Sequence, residues 1–192
     1  MCFVHQEELV LEKIMKFKCY HQTINMNQNG ISNIYIDQLM NKISWSFRGT
    51  FSANNIPKFK DIFFSLMVNL SNEGETGTHF IAIFITENKI LYFDSLGSFQ
   101  INPNIKHYLE TYKKPISYDQ KQIQHLLSSH CGFFCIAFII CVENMIQTKN
   151  FLKIFHKRKL YLNDFICVKI ITNFIRCRNT TNDNNMSIFK NK

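Results

Sequence analysis

The sequence is poor in proline, glycine and acidic residues. Only 3 prolines and 6 glycines occur among its 192 residues, which excludes a collagen-like chain. Hydrophobic residues make up 46% and charged residues 19%, and this balance excludes wholesale disorder and a coiled coil. One domain takes on the order of 100–200 residues. The chain is therefore expected to fold around one hydrophobic core.

Long apolar runs and an export signal are also missing. The longest apolar run, residues 131–142, has 12 residues, whereas about 20 are needed to cross a bilayer. The N-terminus MCFVHQEELVLEK carries acidic residues where a secretory signal needs a basic segment. The 7 cysteines are odd in number, and a chain of this size needs no disulfide staples. We expect reduced cysteines, no membrane partner and no secretion.

The charge is strongly basic. The chain has 22 Lys and Arg against 14 Asp and Glu, a net charge of +8, which favours polyanionic partners. The densest basic run predicts a polyanion-binding face and contains Lys153, His156, Lys157, Arg158 and Lys159, with Lys149 beside it and Arg176 and Arg178 as extensions. A solvated helix face explains the same run equally well, and salt-dependent binding would distinguish the two.

The pattern divides the chain into three parts. Residues 1–46 are predicted to be a helical extension, because apolar residues recur at helical spacing on both sides of an Asn-rich linker at residues 23–33. These apolar residues are Leu9, Val10, Ile14, Met15, Ile36, Leu39, Met40 and Ile43. The main domain is predicted over residues 47–175. It opens with a loop (FRGTFSANNIP) followed by a strand at residues 62–70. Residues 176–192 are predicted to be a frayed tail.

Two further strands form a predicted hairpin. The runs 79–86 and 89–97 are separated by Glu87-Asn88, which fits a tight turn. Because paired strands of a hairpin run antiparallel, His79 at the start of the first strand is expected beside Asp94 at the end of the second. A short helix at residues 105–114 and a short strand at residues 116–118 follow. A later helix is predicted to begin at Asn163-Asp164.

Residues 131–146 are predicted to be a helix buried at the centre of the domain, with Cys131 at its N-terminus. The helix dipole and the free N–H groups at that end favour a thiolate. Gly132 would let backbone approach a substrate closely. His79 would serve as the general base and Asp94 would orient it. The Cys131 N–H and the amide of either Gln122 or Gln124 would stabilise an oxyanion.

Each of these residues has a plainer explanation. Cys131 could be a buried structural cysteine, His79 a capping residue, and Asp94 part of a turn. His125 and His130 are expected to be exposed loop histidines, and Cys135 and Cys141 to fill the core. A metal site made from Cys131, Cys135 and His125 is not expected, because the cysteine spacing is wrong for structural zinc and no fourth ligand is evident.

Four segments resemble the active-site segments of adenovirus-type, or adenain-like, cysteine proteases, the wider group of which includes SUMO-processing proteases. They are residues 77–80 (GTHF), residues 92–97 (YFDSLG), Gln124 and residues 131–135 (CGFFC). Residues 49–57 (GTFSANNIP) are similar to a segment of the relatives in Polinton/Maverick elements and related DNA viruses. The resemblance spans residues 47–146, about half the chain.

The resemblance implies a role for each site residue. Cys131 would be the nucleophile, His79 the base, Asp94 the orienting acid and Gln124 the oxyanion donor. Gln124 is favoured over Gln122 because it lies 7 residues before the cysteine, as in that group. Phe80 replaces the usual tryptophan, and Asp94 replaces the adenoviral glutamate. No cysteine lies between Asp94 and Cys131, so activation by a disulfide-linked peptide is not expected.

The resemblance also implies a fold and a function. The fold would be α+β and papain-like, with a central helix packed on a small mixed sheet. The enzyme would be a cysteine endopeptidase that cleaves viral or virus-like precursor proteins near glycine, in the host nucleus, the virion or the cytoplasm. It would need no cofactor, and DNA would be a stimulating, non-specific partner. A SUMO- or ubiquitin-like deconjugase and a catalytically silent nucleic-acid-binding protein are the alternatives.

Overall fold

The computed structural model describes residues 30–98 and 102–189, with side chains described through residue 178. The helical pattern predicted around Leu9, Val10, Ile14 and Met15 lies outside these residues. Within them the protein is α+β. The small mixed sheet agrees with the expectation, and helices cover it on both faces.

The sheet has five strands in the order in which they occur along the chain. The outer pairs β1–β2 and β4–β5 are parallel, and the inner pairs β2–β3 and β3–β4 are antiparallel. The strands are β1 (Phe47–Ser52), β2 (Phe64–Asn69), β3 (Phe80–Ile85), β4 (Ile90–Phe93) and β5 (Ile116–Tyr118). The predicted hairpin is confirmed, because the Thr86 N–H donates to Lys89 O at 2.9 Å across Glu87-Asn88.

The prediction of a loop over residues 47–57 is wrong for residues 47–52 and correct for residues 53–57. Residues 47–52 form the edge strand β1, which pairs with β2 alone. Its register shifts between Phe47 and Thr50, and Gly49 within that shift has a φ of +136°. A polar edge strand with an irregular register lacks the alternating apolar pattern by which strands are recognised.

Alternate residues of the central strand β3 face two different cores. Ala82 and Phe84 pack with the helices on one face, whereas Ile81, Ile83 and Ile85 pack on the other. The helices are α1 (Asn33–Ile43), α2 (Pro103–Glu110), α3 (Cys131–Glu143), α4 (Thr148–Lys153) and α5 (Asn163–Phe189), with a 3-10 turn at Leu160–Leu162. Helix α2 covers the second face.

Helix α3 lies at the centre of the larger core, as predicted. All of residues 132–141 are buried, and the Phe138 ring stacks on Phe93 of β4 with centroids 4.5 Å apart. Ile36 and Met40 of α1 are fully buried in the same core. The core therefore extends back into residues that the sequence assigned to the N-terminal extension.

Helix α5 begins at Asn163, where the sequence predicts a helix start. The Asn163 side chain is buried, and its amide donates to Ile123 O at 2.7 Å. The helix continues to Phe189, past the point at residue 176 where a frayed tail was predicted. Its C-terminal half contains no proline or glycine that would end it.

Candidate active site

The hairpin brings His79 and Asp94 into direct contact. His79 immediately precedes β3, and Asp94 immediately follows the antiparallel strand β4. His79 Nε2 lies 2.7 Å from Asp94 Oδ1, and the two side chains are only 12% and 3% exposed. Because a carboxylate only accepts hydrogen bonds, Nε2 carries a proton and donates a hydrogen bond to Asp94 Oδ1.

A tight turn holds the Asp94 carboxylate in place. The Leu96 N–H donates to Asp94 Oδ1 at 2.8 Å, and the Gly97 N–H donates to Asp94 O at 3.0 Å. Gly97 has a φ of +67°, a left-handed conformation that favours glycine. The sequence SLG after the aspartate therefore builds a turn that points the carboxylate toward His79.

Cys131 is the first residue of α3 and is partly exposed. The thiol lies close enough to the His79 ring for Cys131 to contribute to the raised pKa of that ring. Since Nε2 of that ring is taken by Asp94, Nδ1 is the nitrogen that remains for the thiol. The structure thus brings Cys131 and His79 to one cleft, with His79 hydrogen-bonded to Asp94.

The environment of His79 favours the protonated ring. Burial alone would lower the pKa of His79. The hydrogen bonds to Asp94 and Cys131, together with the negative charges of both groups, outweigh burial and raise that pKa from 6.5 to about 9. A protonated histidine beside a cysteine supplies the positive charge that favours a nucleophilic thiolate near neutral pH.

Gln124 connects the turn at Asp94 with the loop before Cys131. Its side chain is buried, with Oε1 accepting from Ser95 Oγ at 2.5 Å and Nε2 donating to Ser128 O at 2.7 Å. Its backbone N–H donates to Ser95 O at 3.0 Å. Gln122 is less buried, and its amide donates to Gln124 O at 2.9 Å. Gln124 is thus the better fixed of the two amides, although it does not line the cleft described next.

A cleft of about 570 Å³ opens beside the Cys131 thiol. His79 and Cys131 both line it, together with residues 30–33, the end of β1, Ser129 and most of the loop between β2 and β3. Its described wall carries the carboxyl groups of Glu73 and Glu75 and no lysine or arginine, which contrasts with the basic chain as a whole. The volume is enough for several residues of an extended peptide.

The space in front of Gly132 is taken by the protein itself. A Cβ at Gly132 would overlap the side chain of Ile31. Gly132 therefore admits Ile31 against the first turn of α3, rather than a substrate as the sequence suggested. Sequence reasoning missed Ile31, because no local pattern links it to a glycine so far along the chain.

The two loop histidines before Cys131 have other partners. His125 Nδ1 accepts from the Leu127 N–H at 3.2 Å. His130 Nδ1 lies 3.5 Å from Asp164 Oδ2, and its side chain is only 13% exposed. The expectation of an exposed loop histidine is therefore wrong for His130, which packs against the start of α5.

The other cysteines of the core helices are buried. Cys135, Cys141 and Cys167 are fully buried, and burial raises the pKa of each thiol above its ordinary value. Cys135 Sγ donates to Phe80 O at 3.3 Å. These thiols are core groups. Over residues 30–98 and 102–189 no group of three or more His, Cys, Asp or Glu side chains is arranged to hold a metal ion.

The basic run forms an exposed cationic surface around α4, which we call the α4 basic face. It comprises Lys149, Lys153, His156, Lys157, Arg158 and Lys159, all exposed. None of these six residues forms an ion pair with another described residue. Burial and the charge of Lys157 lower the pKa of Lys121, so Lys121, which sequence reasoning missed, adjoins this face.

No family model matches the chain, and no curated protein matches its sequence. Among the helices of the described residues, none combines the length and the apolar content needed to cross a membrane. A function is therefore inferred from the geometry of the site.

Proposed function

We propose that the protein is a cysteine endopeptidase with a papain-like fold of the adenain type. One observation carries the proposal: His79 Nε2 donates a hydrogen bond to Asp94 Oδ1 at 2.7 Å, and His79 and Cys131 line the same cleft. A nucleophile, a base and an orienting acid in this arrangement have the geometry of a catalytic triad. Separate structural roles for the three residues do not explain why Cys131 and His79 line one cleft while Asp94 accepts a hydrogen bond from His79.

The chemistry begins with the proton that His79 takes from Cys131. The thiolate attacks the scissile carbonyl carbon and forms a tetrahedral oxyanion. His79 then gives its proton to the departing amine as the C–N bond breaks, which leaves a thioester on Cys131. His79 next removes a proton from water, the hydroxide attacks the thioester, and the acid product leaves with the thiolate restored.

Two donors would stabilise the oxyanion. The N–H of Cys131 belongs to the first residue of α3 and has no acceptor within the helix. The amide of Gln124 has two hydrogens on Nε2, one of which goes to Ser128 O; the proposal assigns the second to the oxyanion. Donors of this kind contribute about 10²–10³-fold each to the rate.

The substrates would be polypeptides with small residues at the cleaved bond, such as the precursor proteins of a DNA virus or virus-like element. An extended peptide would pass between two walls of the cleft, one formed by residues 30–33 and the other by residues 71–79. The resemblance to adenain-like proteases adds the preference for glycine.

The experiment is a cleavage assay with a library of glycine-containing peptides, read by mass spectrometry. We expect cleavage by the wild type and none above background by Cys131→Ala. Cys177→Ala is the matched control, because Cys177 is also partly exposed and should leave cleavage unchanged. A ubiquitin-like fusion is assayed in parallel; its cleavage, with every peptide left intact, would contradict the endopeptidase proposal in favour of a deconjugase.

A second candidate function is binding of nucleic acid through the α4 basic face. Six exposed cationic or titratable side chains with no described ion-pair partner favour it. Removing one side chain that neutralises a phosphate should reduce the slope of log K against log salt by about 1.

The matched variants for this test are Lys153→Gln with Lys157→Gln, compared with Lys58→Gln with Lys60→Gln, an exposed pair outside the face. We expect the first pair alone to flatten the salt dependence of DNA binding. Equal slopes in both double variants would contradict a site on α4.

A further inference from the structure

The loop between Gln124 and Cys131 has little apolar anchorage. It turns where the Ser128 N–H donates to His125 O at 2.9 Å. Its two leucines, Leu126 and Leu127, are 75% and 90% exposed. Burial of these side chains therefore does not hold the loop against the core, and polar contacts must do so.

Asp164 supplies those contacts from the start of α5. Ser128 Oγ donates to Asp164 Oδ1 at 3.0 Å, and His130 Nδ1 lies 3.5 Å from Asp164 Oδ2. The His130 N–H in turn donates to Ser128 Oγ at 3.2 Å. One carboxylate thus engages both residues that flank Ser129, and its side chain is only 17% exposed.

The anchor itself is rigid. Helix α5 packs into the larger core through Cys167, Ile170 and Ile171, all fully buried. Asp164 lies in the first turn of that helix, where the helix dipole favours a negative charge. A carboxylate in this position can fix a loop relative to the core that surrounds α3.

The loop also determines where both assigned oxyanion donors lie. Ser128 O accepts from Gln124 Nε2 at 2.7 Å and so sets the direction of that amide. The N–H of Cys131 belongs to the peptide bond that follows His130. A shift of the loop by about 1 Å would misplace both donors, and errors of that size cost about 10²-fold in rate.

We propose that Asp164 is a positioning residue that holds the loop at residues 125–130, and with it both oxyanion donors, in the arrangement needed for peptide hydrolysis. The inference rests on the proposed function. Asp164 acts through Ser128 and His130 and does not line the cleft, so it should affect turnover more than substrate binding.

Two reactions of the same cysteine separate this role from a general structural one. Peptide hydrolysis passes through an oxyanion, whereas alkylation of Cys131 by iodoacetamide is a displacement at carbon that does not. Both rates are measured for the wild type, Asp164→Ala, Asp164→Asn and the control Asp61→Ala, whose carboxylate pairs with Arg48 at 3.3 Å on the surface.

For Asp164→Ala we expect kcat to fall about 10- to 100-fold, KM to change less than about threefold, and the alkylation rate to stay within about twofold. Asp164→Asn keeps the size of the side chain and one of its oxygens. It therefore controls for misfolding of the alanine variant, and its kcat should fall less than that of Asp164→Ala. In the double variant Ser128→Ala with Asp164→Ala, the fold loss in kcat should be smaller than the product of the two single losses. Both substitutions remove the same hydrogen bond between Ser128 and Asp164.

The outcomes are distinct. Unchanged kcat in Asp164→Ala, or alkylation that falls in parallel with kcat, would overturn the positioning role while the endopeptidase proposal stands. A wild type that is alkylated at Cys131 but hydrolyses no peptide would refute the proposed function, and this inference with it.

Discussion

Replacing Asp94 by asparagine isolates the charge that sustains the His79 imidazolium. The pKa of His79 is raised from 6.5 to about 9, which corresponds to about 3 kcal/mol in favour of the protonated ring. Asparagine keeps an acceptor for Nε2–H but removes the negative charge, while burial of the ring continues to lower the pKa. We therefore expect the pKa of His79 to move down toward 6.5 in Asp94→Asn.

The loss of activity follows from that change. At pH 8 a ring with a pKa of about 9 is about 90% protonated, and one with a pKa of 6.5 is about 3% protonated. Because protonated His79 is the acid that releases the amine, kcat/KM at pH 8 should fall about 30-fold. The pH at which kcat/KM declines on the alkaline side should fall from about 9 toward 6.5.

Histidine ring resonances followed by NMR from pH 5 to 10 test this directly, with the His79 signal assigned from its absence in His79→Gln. Asp61→Asn, which removes a surface carboxylate, should leave the His79 midpoint where it is in the wild type. A wild-type midpoint near 6.5, or a midpoint that stays near 9 in Asp94→Asn, would refute the reasoning.

Three further substitutions, each read by urea unfolding, test the packing around the site and at the far end of α3. Gly132→Ala should lower the free energy of unfolding by about 1–3 kcal/mol, and Ile31→Ala in the same chain should restore part of it, because the new methyl group meets the Ile31 side chain. Gly97→Ala should cost at least about 2 kcal/mol and most of the activity, since φ is +67° and the Cβ would lie 2.6 Å from the backbone O of Gln120. Glu143→Ala should lower the free energy of unfolding by about 3 kcal/mol, because Glu143 Oε1 accepts three hydrogen bonds from the segment after α1. For each variant, a urea midpoint equal to that of the wild type would contradict the packing described.

Local patterns in the sequence were enough to predict the hairpin and the central helix. The turn at Glu87-Asn88 and the apolar run after Cys131 are each specified by neighbouring residues, so tertiary contacts were not needed to recognise them. The antiparallel pairing brings the start of β3 beside the end of β4, and the turn after Asp94 completes the contact with His79.

The remaining features depend on distant residues. Strand β1 is defined by its parallel pairing with β2, and its own residues resemble a loop. Ile31 and Asp164 reach the start of α3 from opposite ends of the described chain. Such contacts carry no periodic signal, because the fold brings the residues together and their sequence neighbours do not.

The most direct test of the central claim is a covalent probe of Cys131. The chain is treated at pH 7.5 with a peptide vinyl sulfone ending in glycine, and the modified residue is located by mass spectrometry. We expect one adduct at Cys131, none in Cys131→Ala, strongly slowed labelling in His79→Ala, and full labelling in the control Cys177→Ala. Labelling that persists in Cys131→Ala, or that is equally fast in His79→Ala, would contradict the assignment of Cys131 as a nucleophile activated by His79.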